Sequence, residues 1–192
     1  MYIAIEGIDT AGKSTQIQAL QKHFPDALIT KEPGATEIGK EIREMVLSAK
    51  AKSKKTELLL FLADRAEHVH TCIQPNLQTQ LIISDRSAVS GVAYALSQGT
   101  TTAEELLFLN NFATDGLYPH KVFLLKMTQE ELEYRLSQKE LDGIELRGSE
   151  YLLNIQSQLI EAAKLLDIEL VEIDATLNPE AITKIILDNI KL

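Results

Sequence analysis

The stretch Gly7-Ile8-Asp9-Thr10-Ala11-Gly12-Lys13-Ser14 matches the pattern G-x-x-x-x-G-K-[S/T] and follows the short apolar run Tyr2–Glu6. Its glycines let the backbone wrap closely around phosphate groups and point N–H groups at them. The lysine can reach the β- and γ-phosphates, and the serine hydroxyl can ligate Mg²⁺. Such a loop requires a strand before it and a helix after it, and the pattern predicts both, with the helix over residues 14–23. The stretch therefore predicts a nucleoside triphosphate site.

Apolar runs of strand length alternate with longer helical patterns along the rest of the chain. Further strands are predicted over residues 27–30, 81–85, 121–125 and 169–173, and helices over 37–47, 56–77 and 151–166, with more helices starting at Thr102, Thr128 and Asn178. This alternation is typical of parallel strands joined by right-handed crossovers. We expect one α/β domain over residues 1–192, a P-loop NTP hydrolase-like three-layer α/β/α sandwich with a five-stranded parallel sheet. Ligands of such sheets bind at the carboxyl ends of the strands.

Composition and charge exclude several classes of protein. The 192 residues include 28 Asp+Glu against 19 Lys+Arg, a formal net charge of −9, whereas general nucleic-acid binding needs a positive face. The single cysteine, Cys72, excludes an internal disulfide framework. No apolar run approaches the ~18 residues that span a membrane, and charge interrupts the first residues too early for a signal peptide. We therefore expect a cytoplasmic protein without nucleic-acid or membrane partners.

A carboxylate and an arginine, Asp85-Arg86, end the apolar run 81–85. A carboxylate at the end of a strand beside a phosphate loop can hold Mg²⁺ through water. The fixed guanidinium fork of Arg86 suits a second phosphate group, although an ion pair with a nearby acid is the alternative.

Several segments together resemble the bacterial thymidylate kinase family, whose members phosphorylate dTMP with ATP. The segments begin with residues 6–9 at the start of the loop, occur in the family's order and extend to about Ala175. Five more segments follow those residues. They are Thr30-Lys31-Glu32-Pro33-Gly34-Ala35-Thr36, Phe61-Leu62-Ala63-Asp64-Arg65-Ala66-Glu67-His68, Asp85-Arg86 with Ser90 and Ala93-Tyr94, Asp142-Gly143-Ile144-Glu145, and Ile173-Asp174-Ala175. The segments over residues 30–36 and 61–68 are specific to this family, whereas many NTPases share the phosphate loop.

The resemblance implies a pocket for the acceptor base and sugar. Phe61 would stack on thymine and Arg65 would donate to a base carbonyl, and their spacing of four places them on one helix face. Tyr94 would pack against the sugar and help to exclude a 2′-hydroxyl. A role in the core is the alternative for Phe61 and Tyr94. Ser90 would contact dTMP, and either Ser90 or Ser87 would read thymine N3, through water, because glycine and alanine stand at positions 91 and 95, where the family often has polar base readers.

The resemblance also implies how the two anionic substrates are held. Arg43 and Arg86 would bind the dTMP phosphate, Asp9 would lie near that phosphate and the sugar, and Glu32 would shape the acceptor loop. Lys13, Arg86 and Asp9 would be catalytic, with Ser14 and Asp85 at Mg²⁺. The ATP site would comprise Gly7, Ile8, Asp9, Thr10, Ala11, Gly12, Lys13, Ser14 and Thr15.

The chain departs from the family where another arginine normally meets the transferred phosphate. Thr10 and Gly143 occupy the two positions at which the family supplies it. In the lid segment, at about residues 137–150, Arg147 is the first candidate to replace it, and Arg135 and Lys139 are weaker ones. The family is typically a homodimer, so we expect one here.

Three alternatives remain open from sequence. A related kinase could act on another nucleotide or a deoxynucleoside. A GTP-dependent switch would need an N-K-x-D motif, which the chain lacks. A subunit that binds ATP without chemistry is disfavoured because Lys13, Ser14, Asp85 and Arg86 are all present.

Overall fold

The structure, a computed structural model, describes residues 1–48, 50–140 and 145–190. Its strands are β1 (Tyr2–Glu6), β2 (Leu28–Lys31), β3 (Ile82–Asp85), β4 (Lys121–Lys126) and β5 (Glu169–Asp174). Its α-helices are α1 (Lys13–His23), α2 (Glu37–Leu47), α3 (Lys54–His68), α4 (Gln74–Asn76), α5 (Ala88–Gln98), α6 (Ala103–Thr114), α7 (Gln129–Ser137), α8 (Ser149–Leu165) and α9 (Pro179–Asn189). Asp142, Gly143 and Ile144 of the lid motif lie outside the described residues.

The strands form one parallel sheet in the order β2-β3-β1-β4-β5, which confirms the predicted sheet. Alternate residues of a strand point to opposite faces, and the core divides accordingly. Ile3 and Ile5 of β1 pack in the cluster that includes side chains of α1 and α9, whereas Ala4 packs in the cluster that includes side chains of α3 and α5. Helices therefore cover both faces of the sheet, as the three-layer prediction requires.

The helix starts follow the predicted capping residues. Thr102 and Glu105 exchange both bonds of a capping box, and Asn178 accepts from the N–H of Ala181. At Thr128 the cap is present, but the carboxylate of Glu131 binds Arg135 instead of returning to the cap. Within the described residues, no helix is long and apolar enough to cross a membrane.

The helical pattern predicted over residues 56–77 is present in the structure, with a change of helix type directly before Pro75. The structure ends α3 at His68 and continues with a π-helical turn, Val69–Ile73, before α4. The N–H of Gln74 bonds the carbonyl of Val69, five residues back, and Pro75 has no N–H to continue the α-helical ladder. The proline thus changes the hydrogen-bond pattern of the turn before it.

Candidate active site

The phosphate loop leaves β1 at Glu6 and enters α1 at Lys13. Gly7 is required there, because a β-carbon would lie 3.0 Å from the carbonyl oxygen of Leu125 and the residue has a φ of 151°. Lys13 Nζ donates to the carbonyls of Gly7 and Ile8, each at 3.0 Å. Burial of this ammonium, with Arg86 nearby, lowers the pKa of Lys13 to about 8. Lys13 therefore links the end of the loop to its start through these hydrogen bonds.

Arg86 joins the phosphate loop to β3 and α5. Its Nη2 donates to Asp9 Oδ1 at 2.6 Å, and its Nη1 donates to the carbonyl of Gly7 and to Ser90 Oγ, each at 3.2 Å. The residue has a φ of 68°, a left-handed backbone that is uncommon for arginine. The alternative considered from sequence, an ion pair, is thus present, and it lies at the mouth of the loop.

Glu6 is a buried carboxylate to which the sequence analysis assigned no role. It accepts from the hydroxyls of Ser87 (2.9 Å) and Ser90 (2.6 Å) and from the N–H of Ser90 (3.3 Å). Burial raises the pKa of Glu6, and Arg86 opposes that effect. Both serine hydroxyls that were candidates to read the base are therefore bound to Glu6.

The end of β3 offers a place for a cation. Asp85 Oδ1 is buried and has no hydrogen-bond partner among the described residues. Ser14, in the first turn of α1, is exposed, and both residues line the same cleft. A buried carboxylate oxygen and a hydroxyl are hard oxygen ligands, the type that Mg²⁺ prefers. These residues fit the predicted metal.

The acceptor loop connects β2 to α2. Arg43 Nη1 donates to the carbonyl of Pro33 at 3.0 Å, and Asp64 Oδ1 accepts from the N–H of Gly34 at 2.9 Å. Burial raises the pKa of Asp64 to about 6, against the opposing effect of the Gly34 N–H. Asp64 thus holds this loop from α3, a role that sequence did not reveal.

A buried polar network lies between β2, α3 and α6. Glu32 Oε2 accepts from Arg65 Nε at 2.9 Å, and Glu32 Oε1 lies 3.1 Å from His68 Nδ1. His68 Nε2 lies 2.6 Å from the hydroxyl of Thr30, and Arg65 Nη1 donates to Asn110 Oδ1 at 2.7 Å. Burial would raise the pKa of Glu32, but Arg65 and His68 outweigh it and hold the pKa below its usual value. His68 and Asn110 were not predicted as site residues.

The two aromatic candidates differ in their surroundings. Phe61 is half-buried, one helical turn before Arg65 on α3. Tyr94 is half-buried and packs against the core cluster that contains Ile3 and Ile5. Burial raises the pKa of Tyr94 to about 12, although Arg86 opposes it. The tyrosine therefore stays a neutral hydroxyl near Arg86.

One cleft of about 410 Å³ brings most of the predicted phosphate-binding residues together. Its lining combines the phosphate loop and the start of α1 with the ends of β2 and β3. Among the predicted residues, the lining contains Asp9, Thr10, Gly12, Lys13, Ser14, Thr15, Glu32, Arg43, Asp85 and Arg86. Ser90 contacts this lining through Arg86, and Arg65 contacts it through Glu32.

The lid candidates lie in different places. Lys139 and Glu145 line the cleft, with Nζ and Oε1 2.8 Å apart. Arg135 donates to the carbonyls of Thr10 (2.9 Å) and Ala175 (2.7 Å). Arg147, the first candidate from sequence, is exposed and lies over the ring of Tyr151, with its guanidinium carbon 5.0 Å from the ring centre. The structure therefore places Lys139 in the cleft and Arg147 against an aromatic ring.

The comparisons with known proteins agree with one another. The family model described as thymidylate kinase matches residues 5–186. The thymidylate kinase of Sulfurimonas denitrificans is 69% identical over 192 residues, covering 100% of both chains. That of Aliarcobacter butzleri is 52% identical over 188 residues, covering 98% of this chain and 97% of its own. The crystal structure of thymidylate kinase from Ehrlichia chaffeensis matches with a TM-score of 0.74 over 98% of this chain and 96% of that chain, at 24% identity, which is a likeness of fold.

Proposed function

The chain belongs to the thymidylate kinase family, and we propose that it transfers the γ-phosphate of ATP to dTMP, giving dTDP and ADP for dTTP synthesis. The observation that carries this proposal is the cleft in which the phosphate loop and two further arginines lie together. Lys13 belongs to the loop, whereas Arg43 and Arg86 come from α2 and the end of β3. Two anionic substrates need such an arrangement, while a hydrolase or a switch needs only one triphosphate site.

Catalysis by this site requires positioning and charge neutralisation. An acceptor phosphate is already a nucleophile, so the enzyme needs no general base. Lys13 would bind the donor phosphates, and Arg86 would contact the acceptor phosphate with Arg43. Asp9 supports this role of Arg86, because its carboxylate fixes the guanidinium at 2.6 Å.

We propose Mg²⁺ as the metal of the reaction, held by Ser14 and, through water, by Asp85. The buried Asp85 Oδ1 without a partner in the described part of the chain supports this assignment. The ion would neutralise charge on the phosphates as the γ-phosphate is transferred.

For the acceptor nucleoside, we propose that Phe61 stacks on thymine, that Arg65 donates to a base carbonyl and that Tyr94 packs against the sugar. Phe61 is half-buried and belongs to none of the core clusters of the described residues, which supports a stacking role. Ser90 would act on dTMP through Arg86, since its hydroxyl donates to Glu6 and accepts from Arg86. Glu32 would shape the acceptor loop while it orients Arg65.

For the cation that the loop lacks, we propose the lid segment, at about residues 137–150 of the single domain, as the source. Arg147 is the candidate from sequence, and Lys139 lines the cleft. Alanine substitution of each residue decides between them. Substitution of the residue that contacts the transferred phosphate should lower kcat with little change in substrate affinity.

We further infer a cytoplasmic homodimer. Apolar side chains are exposed on α2, α3 and α6, and α3 packs against both of the other helices, so an interface between two copies would cover them. They are Ile38, Met45, Leu47, Leu59, Phe108 and Phe112, of which the two phenylalanines are 70% and 79% exposed. Sedimentation of the wild type and of Phe112→Glu tests this inference, and a monomeric wild type would contradict it.

The test of the function is ADP release from ATP and Mg²⁺ with dTMP, dUMP, UMP, CMP, GMP, AMP, thymidine or no acceptor. We expect a clear preference for dTMP. Lys13→Ala should nearly abolish turnover. Lys22 is an exposed lysine of the same helix, and Lys22→Ala should leave turnover unchanged. Preference for another acceptor would refute the base assignment, and ADP release without an acceptor would refute the kinase reaction.

A further inference from the structure

Asn110 is a fully buried amide on α6 that lies 45 residues from its partner in sequence. Its Oδ1 accepts from Arg65 Nη1 at 2.7 Å, and its Nδ2 donates to the carbonyl of Leu106 at 2.8 Å. The second bond fixes which way the amide faces, because the nitrogen is committed to the helix. The oxygen is therefore presented to the guanidinium, while one N–H of the amide is bound to the helix.

The guanidinium of Arg65 is held on two other sides as well. Glu32 Oε2 accepts from Nε, and Gly91 of α5 packs against the opposite edge. A β-carbon at Gly91 would lie 2.4 Å from Nη2 and 3.2 Å from the central carbon of the guanidinium. Position 91, where the family often has a polar base reader, is thus filled by the arginine itself.

This arrangement leaves both N–H groups of Nη2 without a hydrogen-bond acceptor among residues 1–48, 50–140 and 145–190. Nε and Nη1 each donate to a buried acceptor, and the two acceptors belong to different elements. These two bonds fix the orientation of the guanidinium plane. A planar fork that is fixed in this way offers the N–H groups of Nη2 in fixed directions.

We propose that Asn110 is a positioning residue for recognition of the acceptor base. It holds Arg65 so that Nη2 donates to the thymine carbonyl at the ring position where cytosine carries an amino group. This inference rests on the proposed function. A carbonyl accepts from a guanidinium, whereas an amino group places donor against donor. A fixed Arg65 therefore favours dTMP over dCMP, and a mobile one discriminates less.

The experiment compares four variants by ADP release with dTMP and with dCMP. Asn110→Ala removes the acceptor for Arg65. Asn110→Ser removes it too, but its hydroxyl can still bond the Leu106 carbonyl, so it spares the fold. Asn110→Asp keeps an acceptor oxygen. Asn111→Ala is the matched control, because Asn111 is exposed and its Oδ1 accepts from Tyr118.

We expect Asn110→Ala and Asn110→Ser to raise KM for dTMP about tenfold and to lower the dTMP/dCMP ratio of kcat/KM about tenfold, with KM for ATP unchanged. Asn110→Asp should retain both values within about threefold, and Asn111→Ala should match the wild type. An unchanged dTMP/dCMP ratio, or equal increases of KM for ATP and dTMP, in the folded Ser variant would overturn the inference. If the wild type itself does not phosphorylate dTMP, the proposed function fails; if it does and the ratio stays constant, only the role of Asn110 fails.

Discussion

The pKa of Lys13, lowered to about 8 by burial and by Arg86, predicts that ATP binds more weakly at mildly alkaline pH. The ammonium has to be charged to meet the phosphates of the donor, so loss of its proton removes the binding-competent form. The terminal phosphate of ATP, with a second pKa of about 6, is already ionised by pH 7.5 and does not change above it. Raising the pH from 7.5 to 9 therefore titrates the lysine and leaves the ligand constant.

The size of the effect follows from the fraction of protonated lysine. With a pKa of about 8, this fraction is about 0.76 at pH 7.5 and about 0.09 at pH 9. Apparent affinity scales with the competent fraction, so the Kd for ATP should rise about eightfold, or about 1.2 kcal/mol. A lysine with an ordinary pKa near 10.4 would lose less than about 5% of its charge over the same range.

The assay is calorimetric titration with a non-hydrolysable ATP analogue and Mg²⁺ at pH 7.5, 8.25 and 9 and constant ionic strength. The control is Lys13→Arg, whose guanidinium stays charged throughout, so its affinity should not follow this curve even if it is weaker overall. A change of less than about twofold in the wild type, or the same slope in Lys13→Arg, would refute the assignment of the low pKa to this lysine.

Three further substitutions test other parts of the site. Gly91→Ala should displace the Arg65 guanidinium, 2.4 Å from the new β-carbon, and raise KM for dTMP about tenfold in steady-state kinetics without changing KM for ATP. Asp64→Asn should raise the free energy of unfolding in urea at pH 7.5 by about 1–2 kcal/mol, because a carboxyl with a raised pKa stabilises the protein below pH 4 and loses that contribution as the pH rises through about 6. The same stability at pH 7.5 in both proteins would contradict it. Asp85→Asn should raise the Mg²⁺ concentration for half-maximal ADP release about tenfold, and an unchanged titration would move the metal away from β3.

The features predictable from sequence are those that local patterns determine. The phosphate loop is eight consecutive residues, and the strands and caps follow from neighbours within a few positions. The parallel sheet follows from the alternation of these elements. In the same way, Asp85-Arg86 could be placed beside the loop. The loop follows β1, Asp85-Arg86 lies at the end of β3, and these parallel strands end at one edge of the sheet.

The residues that sequence did not reveal act over long distances along the chain. Glu6 meets Ser90 across 84 positions, His68 meets Glu32 across 36, and Asn110 meets Arg65 across 45. Asn110 has no local signature, since a buried asparagine and an exposed one look alike in a helical pattern. The neighbouring Asn111 shows this directly, because it is exposed on the same helix.

The pairing of β1 with β3 accounts for how Arg86 can serve both halves of the cleft. The two strands are adjacent and parallel, with Ile5 opposite Asp85, so the residues that follow them also lie side by side. Arg86 turns out of β3 with a positive φ and reaches the Gly7 carbonyl and Asp9 of the loop, while Ser90 connects it to Glu6. In-line transfer tolerates little error in the distance between donor and acceptor phosphates. A rigid sheet register, rather than a flexible loop, sets the distance between Lys13 and Arg86, and the buried Glu6 carboxylate keeps α5 attached to it.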